Sequence, residues 1–259
     1  MSDIDIRITG RTGRITLTRP KALNALTWEM IDGLAEALPR LAADDQVAML
    51  VIDAEGDRAF CSGGDIADIY AALRVGNPDE ARRFWRAEYP VNRMIFDFPK
   101  PVATFMQGYT MGGGVGIGCH GSHRVVGASS RLAMPECSIG LIPDVGGSLL
   151  LARARGRLGE YLGTTGSRMG PGDAIHAGFA DYFIPESDWP ALIGALEETG
   201  DWTLIDQAAS APPESPLAAI EAEVNRHFGG ETLRDILVSL DGDDSAWAKD
   251  ARAAIDRNA

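Results

Sequence analysis

Basic residues are in the minority in this chain of 259 residues: 24 Lys and Arg stand against 37 Asp and Glu, for a net charge of −13. No cationic block offsets repulsion from phosphate, so a nucleic-acid partner is not expected. Cysteine is scarce too. Cys61, Cys119 and Cys137 show neither CxxC spacing nor a histidine at metal-ligand spacing, which argues against a disulfide framework and a zinc site and leads us to expect reduced thiols in a cytoplasmic protein. No apolar run is long enough to span a bilayer, and the acidic, alternating opening MSDIDIRITG is unlike a signal peptide; no membrane association is expected. Rossmann and Walker glycine spacings are missing as well. With no cluster of metal ligands either, neither a metal nor a redox cofactor is implied.

What is present is enough apolar material, 45% of residues, to bury a sizeable core. Ile4, Ile6, Ile8 and then Ile15, Leu17 alternate around Gly10 and Gly13, which predicts a hairpin with one buried face. Thr27 should cap a helix with an apolar stripe of Met30, Ile31, Leu34, Leu38 and Leu41. Strand, strand and helix then succeed one another repeatedly, without a fixed sequence period.

The chain is organised around residues 107–147. An apolar run, Pro101 to Met106, reads as a buried strand, and Gly112, Gly113 and Gly114 follow at a strand-to-helix turn. Backbone N–H groups at such a turn have no partner within the helix, and glycine lets a ligand oxygen approach them. Tight packing would need the same glycines. A second segment, Ala59 to Asp65, also follows an apolar run, Val47 to Ile52, and also leads into a helix, so two N–H donors can converge. Downstream, Glu136 and Asp144 sit in a segment punctuated by Pro and Gly, where a strand end and a turn can aim both carboxyls at one cavity. The plainer alternatives are a turn cap for Glu136 and a helix N-cap for Asp144.

The segments AFCSGGDI, GYTMGGGVGIG and AMPECSIGLIPDVGG, in this order and at these separations, resemble the enoyl-CoA hydratase/isomerase (crotonase) superfamily. MGGGVG, Met-Pro-Glu and Pro-Asp-Val-Gly-Gly are most similar to its 3-hydroxyisobutyryl-CoA hydrolase branch. The resemblance implies an α/β fold, a crotonase-like spiral of strand-strand-helix units over residues 1–186 with a helical C-terminal region over 187–259. It implies an acyl-CoA substrate, coenzyme A being part of that substrate and no cofactor being needed, and a homo-oligomer. By position, the N–H groups of Gly64 and Gly113 would form the oxyanion hole, Glu136 and Asp144 the catalytic pair, and Glu88, Ser62 and Asp65 the substrate contacts. Many hydratases of the superfamily carry a glutamate where this chain has Gly116. The expected activity is therefore hydrolysis of a short 3-hydroxyacyl-CoA, with enoyl-CoA hydration or isomerisation, or acyl-CoA binding without catalysis, as alternatives. A residue near Asp181 would sit beside the acyl chain.

The histidines near Cys119 have no acidic orienter at recognisable spacing, and Cys119 itself falls in an apolar helix, so no thiol nucleophile is expected. Residues 148–163 read as one helix whose Arg153, Arg155 and Arg157 form a solvated face or meet coenzyme A phosphates. Ser187-Asp188 should cap another helix, and 207–216 read as a linker before amphipathic helices near 220–228, 232–240 and 247–255. Hydrolase-branch chains usually continue for several helices past the equivalent of Asn258, so the C-terminal region is expected to be short.

Overall fold

The structure, a computed structural model, describes residues 3–258 apart from the side chains of Asp68, Ile69, Leu73, Glu80 and Ala81. Alternating isoleucines give the expected hairpin: β1 (Ile4–Thr9) runs antiparallel to β2 (Thr12–Leu17), with Ile4 opposite Leu17 and Thr9 opposite Thr12. The Thr27 hydroxyl accepts from the Met30 N–H and caps α1 (Trp28–Ala43), which buries the expected stripe. Then follow β3 (Met49–Ala54), β4 (Ala59–Cys61), α2 (Ile66–Arg74), α3 (Pro78–Phe96), β5 (Val102–Met106), β6 (Tyr109–Met111), α4 (Gly113–Gly118), β7 (His123–Val126) and β8 (Arg131–Ala133).

Successive strands part company between two sheets. The larger has the order β1-β2-β3-β5-β7, closed by β9 (Tyr182–Phe183), and is parallel from β2 onward; the smaller has the parallel order β4-β6-β8. Each pair, β3 with β4, β5 with β6 and β7 with β8, thus lays one strand in each sheet before the chain turns into helix. That is the wound strand-strand-helix unit expected from the sequence.

Strand β3 is buried on both faces, as a central parallel strand must be. Leu50 and Ile52 face the main core under α1, whereas Met49 and Val51 join Phe105, Val125 and Ile184 beneath α8 (Trp189–Thr199) on the other side. The helix expected over 148–163 is two helices, numbered before α8 in chain order: α5 (Gly147–Arg153) and α6 (Leu158–Thr165), broken where Ala154 is extended and Gly156 takes φ +51. Helix α7 (Pro171–His176) stops before Gly178, φ +79, and hands over to β9. Asp188 precedes α8 without a side-chain capping bond. Helix α9 (Thr203–Ala208), an irregular stretch at 209–215, α10 (Pro216–Ala219), α11 (Glu221–His227), α12 (Leu233–Asp241) and α13 (Ala246–Arg257) complete the chain. Leu217, Val224, Phe228, Leu240 and Ile255 join the same buried cluster as α1. Among the described residues no helix is long and apolar enough to cross a membrane.

Candidate active site

Strand β6 ends at Met111 and α4 begins at Gly113, so the glycine triplet is the turn between them. Side chains are barred from it by what surrounds it. A Cβ at Gly112 would lie 2.7 Å from Glu136 Oε1, one at Gly113 would lie 2.6 Å from Glu88 Oε1, and one at Gly114 would collide with the Cys61 carbonyl. The turn after β4 lies alongside, pinned because the Leu26 N–H donates to Gly63 O and the Asp65 N–H to Leu26 O. The Gly64 nitrogen lies 3.3 Å from where a Gly113 Cβ would stand. Among the described residues, neither the Gly64 nor the Gly113 N–H donates to a chain acceptor outside the regular elements. Both glycines line one cleft.

The acids converge on that cleft from a helix, a 3₁₀ turn and a loop. Glu88 comes from α3, is 2% exposed, and leaves Oε1 without a partner; burial first, then the charges of Asp144 and Glu136, push its pKa up to about 8. Glu136 opens a 3₁₀ turn directly after β8 and leaves Oε2 unpartnered. Burial raises it to about 7, against a hydrogen bond from its own N–H and with help from the Asp144 charge. Asp144 is also raised by burial, opposed by the Tyr89 hydroxyl, which donates to its Oδ2 at 2.7 Å.

Asp144 does not cap α5. Gly146 holds the cap position without a side-chain bond, because Val145 and Gly146, with φ +47 and +77, turn the chain back and leave the Asp144 carboxyl against Tyr89. A β-branched residue in the left-handed region stores strain of about 1–3 kcal/mol. His120 Nε2, 2.8 Å from the Val145 carbonyl, helps to hold that turn. At Gly116 a Cβ would lie 2.7 Å from Asn92 Nδ2 and 2.8 Å from Val145 Cβ, so the space beside α4 is already occupied.

Ser62, Gly64, Glu88, Gly113, Glu136 and Asp144 all line one cleft of about 80 Å3. Asp65 does not line it: its carboxylate pairs with Arg19 Nη1 at 2.8 Å and accepts from the Ala67 N–H at the start of α2. Asp181 is held by Arg124 Nε at 2.8 Å, also away from the cleft. Arg155 lies 3.7 Å from Glu221 and Arg157 2.7 Å from Glu160. Cys119 is buried against Met106 and has no histidine partner among the described residues. Tyr89 and Asn92 were not singled out for this site from the sequence. Their signal was position: Tyr89 adjoins Glu88, and Asn92 lies one helical turn from it. A larger cavity, about 510 Å3 around Arg14, Phe105 and Trp189, contains none of these acids.

The sequence profile of the family described as Enoyl-CoA hydratase/isomerase matches residues 12–259. The chain is 35% identical over 258 residues to the mitochondrial 3-hydroxyisobutyryl-CoA hydrolase of Danio rerio, which covers 95% of this chain and 67% of the relative. It thus spans about two thirds of that relative's length. Its structure is similar to that of an enoyl-CoA hydratase from Rhodobacter sphaeroides 2.4.1, with TM-score 0.94, 53% identity, and coverage of 99% of this chain and 74% of the other. A carnitinyl-CoA dehydratase from Mycobacterium thermoresistibile gives TM-score 0.95 and 39% identity, covering 99% and 75%. The expected cytoplasmic location is overturned by the curated relatives, since the Danio rerio, Xenopus laevis and Homo sapiens proteins are all named mitochondrial.

Proposed function

We propose, from the premise that this chain belongs to the enoyl-CoA hydratase/isomerase family, that it hydrolyses the thioester of a short 3-hydroxyacyl-CoA such as 3-hydroxyisobutyryl-CoA. The observation that carries this is the acid set: Glu136 and Asp144 share the cleft, while Gly116 stands where many hydratases have the first of their two glutamates and leaves no room for one. A hydratase working through two carboxylates lacks half its pair here.

The thioester carbonyl oxygen is bound by the Gly64 and Gly113 N–H groups, which stabilise the charge it gains as the tetrahedral intermediate forms. Loss of one such donor costs about 2.7–4 kcal/mol in related chemistry. Ionised Glu136 takes a proton from water, the water oxygen adds to the acyl carbon, the C–S bond breaks, and the proton passes to the departing thiolate. Asp144, oriented by Tyr89, binds the acyl hydroxyl. Glu88 retains its proton at neutral pH, so the carboxyl packed against Gly113 brings no opposing charge.

Thiol release, followed with a disulfide-exchange dye, tests this on 3-hydroxyisobutyryl-CoA, 3-hydroxypropionyl-CoA and crotonyl-CoA. Release from the hydroxyacyl thioesters, falling about a hundredfold or more in Glu136→Gln with coenzyme A binding retained, is expected. A second possibility is favoured by the description of the 53% identical Rhodobacter sphaeroides protein as an enoyl-CoA hydratase. Loss of crotonyl-CoA absorbance without thiol release would establish hydration instead.

A further inference from the structure

Two local costs meet at the turn that follows Asp144. Val145 takes φ +47, a region that β-branched side chains rarely enter. His120, 8% exposed, leaves Nδ1 without a partner among the described residues, and a buried polar atom left bare requires a reason. One contact accounts for both, the 2.8 Å hydrogen bond between His120 Nε2 and the Val145 carbonyl. A carbonyl only accepts, so Nε2 carries the proton and Nδ1 the lone pair. Burial lowers the His120 pKa, against that hydrogen bond, so the ring is neutral and its single N–H goes to Val145.

The turn is held from several sides. A Cβ at Gly146, itself at φ +77, would lie 2.4 Å from His120 Nε2, so the ring packs directly on the backbone there. Phe96 from α3 meets the same ring edge-on, with centroids 6.1 Å apart. The Val145 side chain is wedged against α4, where a Cβ at Gly116 would stand 2.8 Å from it. Tyr89 then receives the Asp144 carboxylate at 2.7 Å.

His120 stands two residues past the end of α4, the helix that begins at Gly113. Every residue of α4 is buried, and the Thr104 hydroxyl donates to Gly118 O at 2.7 Å, which fastens the far end of the helix to β5. One packed element therefore carries the Gly113 N–H at its start and the clamp on the Asp144 turn at its finish. In a 3-hydroxyacyl thioester the carbonyl oxygen and the hydroxyl are joined through a short carbon chain, so their partners must be held at a set separation.

On the hydrolase assignment argued above, we propose that His120 is a positioning residue for acyl specificity: by holding the Val145 carbonyl it keeps Asp144 in register with Gly113, so that a hydroxylated acyl group is preferred over a plain one. Glu136 packs against Gly112 and does not depend on this clamp. Loosening the turn therefore removes the advantage of the hydroxyl while leaving hydrolysis of an unhydroxylated thioester largely as it was.

The readout is the ratio of kcat/KM for thiol release from 3-hydroxyisobutyryl-CoA to that from isobutyryl-CoA, which a mere loss of folded protein does not move. His120→Phe keeps a ring but removes the donor, and the ratio should fall about tenfold or more. His120→Gln restores an N–H near the place of Nε2 and should keep the ratio within about threefold of wild type. In an Asp144→Asn background His120→Phe should lower the ratio no further, because both act through one carboxylate. Phe96→Ala, at a position 41% exposed, removes the ring packed against His120 and should lower the ratio about threefold; it decides the matter if His120→Phe does not fold. A wild-type ratio in His120→Phe or, failing that variant, in Phe96→Ala would overturn the role, as would equal losses in the phenylalanine and glutamine variants. Equal release from the two thioesters by wild-type protein would overturn it through Asp144. Absence of thiol release from wild-type protein with every hydroxyacyl thioester would instead overturn the hydrolase assignment itself.

Discussion

Glu88, Glu136 and Asp144 face one small cleft, too close together and too dry for three full charges to be held cheaply. Burial is the first cause that holds Glu88 near 8 and Glu136 near 7. A base must be ionised, so the rate should rise as pH climbs through about 7. A Glu88 that has lost its proton puts negative charge beside Gly113, one of the two proposed oxyanion donors, so the rate should fall as pH climbs through about 8. We therefore expect a narrow bell in kcat/KM for thiol release with limbs near those values, and Glu88→Gln should keep the acidic limb while flattening the alkaline one. An alkaline limb unchanged in that variant would remove Glu88 from the reaction. At this scale the sequence was partly legible. Glu136 and Asp144 stood out because Pro and Gly mark the turns that carry them, whereas Glu88, one acid among many on a charged helix, was visible only through the family resemblance. Asn92 and Val145 were not legible, since what matters about them is which side of Gly116 they fill.

Between elements, the site depends on two strand-to-helix turns touching through backbone alone. The Cys61 carbonyl occupies the space that a side chain at Gly114 would need, and that contact sets the turn after β4 against the start of α4. Gly114→Ala should force the turns apart and misplace both N–H donors. We expect thiol release about a hundredfold slower or worse, with a lowered Tm, whereas unchanged kcat/KM would mean the donors are positioned by other contacts. Helix α1 and the β1-β2 hairpin were readable because their apolar periods, near four and two, are local properties. The break between α5 and α6 was not. Gly156 bends there beneath Asn225, whose Oδ1 would collide with a Cβ and also accepts from the Arg157 N–H, a contact made by a helix far along the chain.

Over the whole molecule, the succession of strands and helices was legible, but not that alternate strands would leave the large sheet for a second one of order β4-β6-β8, because sheet partnership is decided by non-local pairing. Net charge is also a property of the whole chain. At −13 it opposes the approach of coenzyme A thioesters, which are strongly anionic. The reach of that repulsion is set by salt, about 30 Å at roughly 0.01 M and about 8 Å at roughly 0.15 M. Raising ionic strength across that range should hide most of the distant acids and lower KM for 3-hydroxyisobutyryl-CoA. The buried carboxylates of the cleft are screened far less, so kcat should stay nearly constant. Steady-state kinetics at fixed pH over a salt series separates the two parameters. If KM rises with salt instead, the net charge does not govern the approach of substrate, and a local field of opposite sign does.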